Sequence, residues 1–454
     1  MGKSQYIPDD CEYPQLREIT DTEKLARKLE EHLGPDSGLH VENCKIAQLH
    51  YRPGGGCKIS LKAYLGRNGQ YVGEQIYMGM IAAGERRSVE TIQERATQRR
   101  LAQPQFGPPL IFIPEWALFL WAYPNDPNLP GLALMVSPEK VLERMKAAPD
   151  KFGLAAARAP LHVATITAAM TKYIPGQRCG YVYRLAFDGA NGNAEYSVYG
   201  KAYRDGSGEA AYEIMRQIWE SEASQKGDLL LPQPYSFDAE NSILWQEAIS
   251  GEPLAKIAAA VENLPVMAQE IGARLAALHA MRLPLKEEMT LAFQIDDVRR
   301  SVDMISRTFP EYAARSEKLG QMLLSAAAGL PALPSTPVHG SFKFSHIIAT
   351  EKGLMFIDFD GANLGDPAYD VGRFIAHVHK MKADFHIDPE DAEKTIASFC
   401  ESYNRAAASP LAPERIDWFS ASHLLASQVY KAVKRIDPGA MNKLLKMAEH
   451  LCPS

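Results

Sequence analysis

Residues 46–65 and 168–187 are two versions of one segment, because Tyr51, Pro53, Gly54 and Cys57 fall on Tyr173, Pro175, Gly176 and Cys179 at a constant offset. Each version reads as strand, Pro-Gly turn, strand, with apolar and polar residues alternating after the turn. The likeness extends past the hairpin. Gly73–Gly79 matches Glu195–Lys201 as a third strand, helical patterns follow at 88–100 and 208–223, and Ala117–Trp121 pairs with Ser242–Trp245 as a later strand. Such ordered self-similarity predicts two copies of one small lobe, over 1–150 and 151–250. At one position the copies part: Lys201 stands in the third strand of the second copy where the first has Gly79.

From residue 251 the periodicity turns helical, with helices expected at 254–260, 264–280, 297–308, 313–328, 389–406, 417–433 and 440–451. The chain of 454 residues is thus expected to be α+β, with two sheet-bearing lobes and a mainly helical domain over 251–454. A formal charge of −6 leaves no basic footprint for nucleic acid or an anionic membrane. No apolar run suits a signal peptide or a membrane span, so a cytoplasmic location is expected. The six cysteines show no C-x-x-C pair and read as reduced, mostly buried thiols.

The chemistry concentrates in 338–370. Two short apolar strands joined by a turn at Glu351–Gly353 would bring Ser341, His346, Asp358 and Asp360 to one edge, an arrangement suited to phosphoryl transfer. Lysines on strands are most often solvated or snorkelling. Lys201 is nevertheless a candidate phosphate ligand, because the helix after it offers Glu209 and Glu213, the latter favoured as its ion-pair partner. His279 and His423 lie on helical faces and read as hydrogen-bonded packing residues.

Three motifs carry a resemblance: His339-Gly340-Ser341 with His346 five residues on, Ile357-Asp358-Phe359-Asp360, and Gly365-Asp366-Pro367 with Asp370. They resemble the signatures of the aminoglycoside phosphotransferase and choline kinase superfamily, and the Tyr-x-Pro-Gly-x-x-Cys hairpin is similar to that of maltokinase-like members. The resemblance implies a protein-kinase-like bilobal fold, with 1–150 as an additional, degenerate small lobe. It implies ATP and Mg²⁺ as cofactors and a hydroxyl-bearing acceptor, a small molecule or a peptide. Lys201 would contact the phosphates and pair with Glu213. Gln246, Glu247 and Ala248 would form the adenine hinge, and Asp358 would hold Mg²⁺, helped by Asp360. Asp366 and Pro367 would open the next helix as N-cap and first residue, with Asp370 tying the loop, and His339 would orient rather than act as base.

Two positions depart from the pattern. Ser341 stands where the family has the aspartate that accepts or orients the substrate proton, and a serine is no base near neutral pH without an activating partner. His346 stands where an asparagine binds the second metal, and imidazole is a poor Mg²⁺ ligand. One reading is a phosphotransferase working without the usual base, assisted by Lys343, His346 or Asp360. The other is a pseudokinase that binds nucleotide and acts as an interaction or regulatory module. The extra lobe would suit a peptide or protein partner added at a sheet edge, or only pack against the second copy.

Overall fold

The computed structural model describes residues 13–34, 37–52, 56–82, 88–97, 101–154, 163–187, 194–204 and 206–452. Cys11, the Pro53–Gly54 turn and the last residues of the helix expected at 88–100 lie outside them. The chain forms two compact units. One runs to Gly208 and takes in Tyr235–Trp245 and Val433–Asp437; the other comprises Glu209–Pro234, Gln246–Ala432 and the chain from Pro438.

The first unit is built on two five-stranded sheets. β1 (Leu39–Arg52), β2 (Gly56–Arg67), β3 (Gln70–Ile81), β4 (Leu110–Ile113) and β5 (Leu118–Ala122) lie in the order β1-β2-β3-β5-β4. β6 (Val163–Ile174), β7 (Arg178–Phe187), β8 (Ala194–Tyr203), β9 (Pro234–Asp238) and β10 (Ile243–Glu247) repeat that order as β6-β7-β8-β10-β9. Tyr51 lies opposite Cys57 and Tyr173 opposite Cys179, so the two hairpins share a register. The second hairpin closes through Pro175 and Gly176, with Gly176 at φ +69° and Gln177 N–H donating to Ile174 at 3.0 Å. Pro supplies the fixed φ of the first turn residue and Gly the left-handed second one, a type II turn.

The third strands are shifted by one residue between the sheets. Gly79 pairs with Ile59, whereas the residue equivalent to Ile59, Tyr181, pairs with Gly200; Lys201 pairs with Gly180 as Met80 pairs with Lys58. The structural counterpart of Lys201 is therefore Met80, which corrects the sequence match to Gly79. A constant offset could not show this, since the β2–β3 and β7–β8 connections differ in length. Either way the first sheet has no lysine there.

The segment between the sheets belongs to the second sheet's core. Leu132, Met135, Val141, Met145, Phe152 and Leu154 are buried together with Tyr183, Leu185, Val198 and Trp245. Each such side chain contributes about 1.5–3 kcal/mol by leaving water.

The second unit is mainly helical, with helices Leu264–His279, Leu291–Thr308, Ala313–Ala327, Ala368–Ala383, Pro389–Ala406, Pro413–His423 and Pro438–Leu451. The second begins six residues before its expected start because Thr290 caps it, its hydroxyl accepting from Phe293 N–H at 3.2 Å. Short strands carry the motifs: β11 (Glu252–Pro253), β12 (Glu287–Met289), β13 (Thr336–Val338), β14 (Ile347–Thr350), β15 (Gly353–Phe356) and β16 (Asn363–Gly365). β14 and β15 form the expected two-stranded ribbon, and β16 lies between β12 and β13.

Among the described residues the five cysteines are free thiols, and burial pushes Cys44 and Cys179 up to about 12, so neither is a ready nucleophile. No helix among them is long and apolar enough to cross a membrane.

Candidate active site

The second unit brings three of the expected residues into one chain of contacts. β13 ends at buried Val338 and leads into His339-Gly340-Ser341. Gly340 has φ +72°, and a Cβ there would overlap the Gly361 carbonyl oxygen, so only glycine lets the two loops approach. Asp370, fully buried in the first turn of Ala368–Ala383, accepts from His339 N–H at 2.5 Å and Gly340 N–H at 3.0 Å, and meets His279 Nε2 at 3.3 Å. Burial alone would raise this carboxyl, but the His279 and His339 contacts outweigh it and hold it below its ordinary value. The loop is thus clamped from behind, as expected of Asp370. Asp366 caps the helix as expected, its carboxylate accepting from Ala368 N–H while Pro367 already has helical dihedrals (φ −59°, ψ −26°), and it also pairs with buried Arg415.

His339 is fully buried, and burial lowers its proton affinity. Its Nε2 lies 2.9 Å from the Ile357 carbonyl, which only accepts, so the neutral ring carries its proton on Nε2 and leaves Nδ1 as an acceptor. Ser341 Oγ is 3.3 Å from that Nδ1, 3.2 Å from His346 Nδ1 and 3.3 Å from the Asp358 carbonyl. His346, buried at the end of the short turn Phe344–His346, reaches Asp358 Oδ2 through Nε2 at 3.2 Å. Ser341, His346 and Asp358 therefore form a hydroxyl–imidazole–carboxylate sequence, the set of groups that activates serine nucleophiles, here with the ring nitrogens exchanged.

Asp358 follows β15 at φ +70°, ψ +54°, a left-handed conformation that costs a residue other than glycine about 1–3 kcal/mol. Asp360 is exposed in the adjoining turn Phe359–Gly361. Half-buried Lys343 lies near His377, which is pushed down to about 3 by burial first and by the Lys343 charge next.

Gln246 and Glu247 end β10 and Ala248 follows, all half-buried. Glu247 N–H donates to the Gln233 carbonyl at 2.8 Å, and its carboxylate accepts from Gln233 N–H and Lys352 Nζ, both at 3.1 Å. Glu213 is engaged within its own helix, accepting from Arg216 Nη2 at 2.5 Å and Gln217 Nε2 at 3.1 Å. Arginine three residues on was the sequence signal for that partner. Lys201 lies in the first unit, buried, its Nζ 4.8 Å from the Tyr203 ring centre. What the sequence reading missed was the contact of His346 with Ser341 and Asp358 together; the spacing was visible, but the position was read only as a metal site.

The donor set suits one Mg²⁺ ion better than two. Among the described residues no group of three His, Cys, Asp or Glu converges on one point. Asp358 alone fits an ion bound chiefly through phosphate oxygens, as Mg²⁺ commonly is. His346 suits a second ion poorly, since both ring nitrogens already meet partners and imidazole is a weak Mg²⁺ donor.

The clamped His-Gly loop and the left-handed aspartate after a two-stranded ribbon are the centre of this candidate site. The sequence model described as APH, phosphotransferase enzyme family, matches residues 198–411 of this chain. No curated protein matches the chain. Among solved structures, it is similar to a putative aminoglycoside phosphotransferase from Ralstonia eutropha JMP134 (15% identity, 69% of this chain, 97% of that chain, TM-score 0.47). It is also similar to a choline/ethanolamine kinase family protein from Mesorhizobium loti (14%, 70% and 95%, 0.45). A third is a thermostable aminoglycoside phosphotransferase in ternary complex with ADP and hygromycin B (14%, 67% and 98%, 0.45).

Proposed function

We propose that the chain transfers the γ-phosphoryl group of ATP to a hydroxyl of a small molecule or peptide. The observation that carries this reading is Asp358, kept beside Ser341 and His346 in a left-handed conformation that only glycine would adopt without cost. Asp358 would hold Mg²⁺, which supplies charge neutralisation on the phosphates when bound. Ser341 orients the acceptor hydroxyl by hydrogen bonding, and His346, held by Asp358, takes the place of the usual carboxylate as proton acceptor. Transfer through a loose transition state needs little early deprotonation, so the aspartate itself is not required and an imidazole suffices as the acceptor. Lys201 and Glu213 keep the phosphate-binding roles implied by the resemblance, Glu213 sharing its carboxylate with Arg216. For adenine, the Glu247 N–H is already used, which leaves the Gln246 and Ala248 backbone groups and the Glu247 carbonyl.

We further infer that the two like-ordered sheets derive from one duplicated lobe, with β1 and β4 the edges at which a peptide partner would add. The pseudokinase reading is favoured by one observation, a serine in the position of the carboxylate. ATP binding and phosphoryl transfer measured on the wild type and Asp358→Ala separate the two. Turnover that falls about 10²–10³-fold in the variant supports the enzyme, and nucleotide binding without turnover in either protein selects the pseudokinase.

A further inference from the structure

An edge strand leaves one row of backbone N–H and C=O groups unpaired, and the two sheets of the first unit end in four edges, β1, β4, β6 and β9. Three of them are short or charged. β4 has four residues, and β9 has five and opens on Pro234. β1 carries Glu42, Lys45 and Arg52, and its Val41 N–H donates to the Glu30 carboxylate at 2.6 Å. β6 differs from all three. Its twelve residues contain no proline and one charge, Lys172, and Thr165, Ile166 and Thr167 are β-branched residues that favour strand.

Thr165–Ala169 is the open part of this strand. Its residues pair with β7 in unbroken register, Thr165 with Ala186 through Ala169 with Val182, between register shifts at Ala164 and Thr171. No strand lies on the other side of β6 in its sheet. Among the described residues, none from Val163 to Thr171 has a hydrogen bond or ion pair beyond the pairing with β7. The side chains follow the strand period: Ile166 and Ala168 pack on the core of the second sheet, whereas Thr165, Thr167 and Ala169 are exposed. Past this stretch the strand has neighbours of its own, since Met170–Tyr173 line a cavity together with Gln48, Ser60 and Lys62 of the first sheet.

We propose that this edge pairs with the same edge of a second copy of the chain, giving a two-fold dimer in which the two β6-bearing sheets run on as one. The strand is complementary to itself. Antiparallel pairing centred on Thr167 sets Thr165 opposite Ala169 and Ile166 opposite Ala168, so exposed side chains meet exposed ones and core-facing side chains meet core-facing ones. It also sends the two Lys172 side chains to opposite ends of the paired run, away from each other. Any extended peptide would meet the same backbone groups, but this match of faces and charge is built into a second copy. The proposal stands on the first unit and does not depend on the reaction at Ser341.

Sedimentation velocity of the full chain over roughly 1–100 μM, the range suited to a small interface, reads the association. Wild type forms a dimer as its concentration rises. Thr167→Lys sets two ammonium groups opposite each other at the two-fold axis and weakens the dimer by about tenfold or more. Circular dichroism and thermal midpoints verify that this exposed substitution leaves the fold intact. Thr167→Cys treated with a short bis-maleimide gives a cross-linked dimer in higher yield than wild type, whose own thiols supply the background, and this is the second test should Thr167→Lys unfold. A wild-type chain that stays monomeric throughout overturns the proposal. So does a dimer that Thr167→Lys leaves unchanged, or one in which cysteines at 167 cross-link no better than the background; either result assigns the association to another surface.

Discussion

Asp370 fixes His339 and Gly340 through their backbones and has no exposure of its own. Its depressed proton affinity links the loop to pH. A carboxyl held below its unfolded value adds stability that is fully present above the ordinary carboxylate pKa and is lost as pH falls through the lower folded value. Urea midpoints measured from neutral pH downward should therefore fall less steeply in acid for Asp370→Asn than for wild type. The variant should also be less stable at pH 7, because a neutral amide cannot match the charge-assisted bonds it replaces.

Among the elements, the helix Leu291–Thr308 shows what a single cap decides. Apolar periodicity suggested a start at 297, but the hydroxyl of Thr290 accepts from Phe293 N–H and extends the helix by nearly two turns. Thr290→Ala should cost about 1 kcal/mol, read as a shifted denaturation midpoint. The same contrast explains what could be read in advance. The β14–β15 ribbon and the paired hairpins were legible because their alternation and turns are local. The register of β3 and β8 was not, since it depends on loop lengths and on facing strands. Within the site, the residue types and their spacing were legible. That His346 would touch both Ser341 and Asp358 was not, because ring orientation is set by packing from segments far along the chain.

For the whole molecule, the segment 129–154 matters most. Expected as the end of the first lobe, it packs Leu132, Met135, Val141 and Met145 on the strands of the second sheet. A chain starting at residue 151 should therefore lose much of that core and fold poorly, whereas one starting near residue 125 should retain it. Soluble yield and thermal midpoints of the two truncations check this. A well-folded 151–454 protein would mean that those contacts are dispensable.

Val433–Asp437 belongs to the first unit, although the chain on either side of it lies in the second. Synthesis thus reverses the usual order of completion. The unit begun first receives its last segment only once residue 437 has emerged, tens of seconds after its first strand at about 5–20 residues per second.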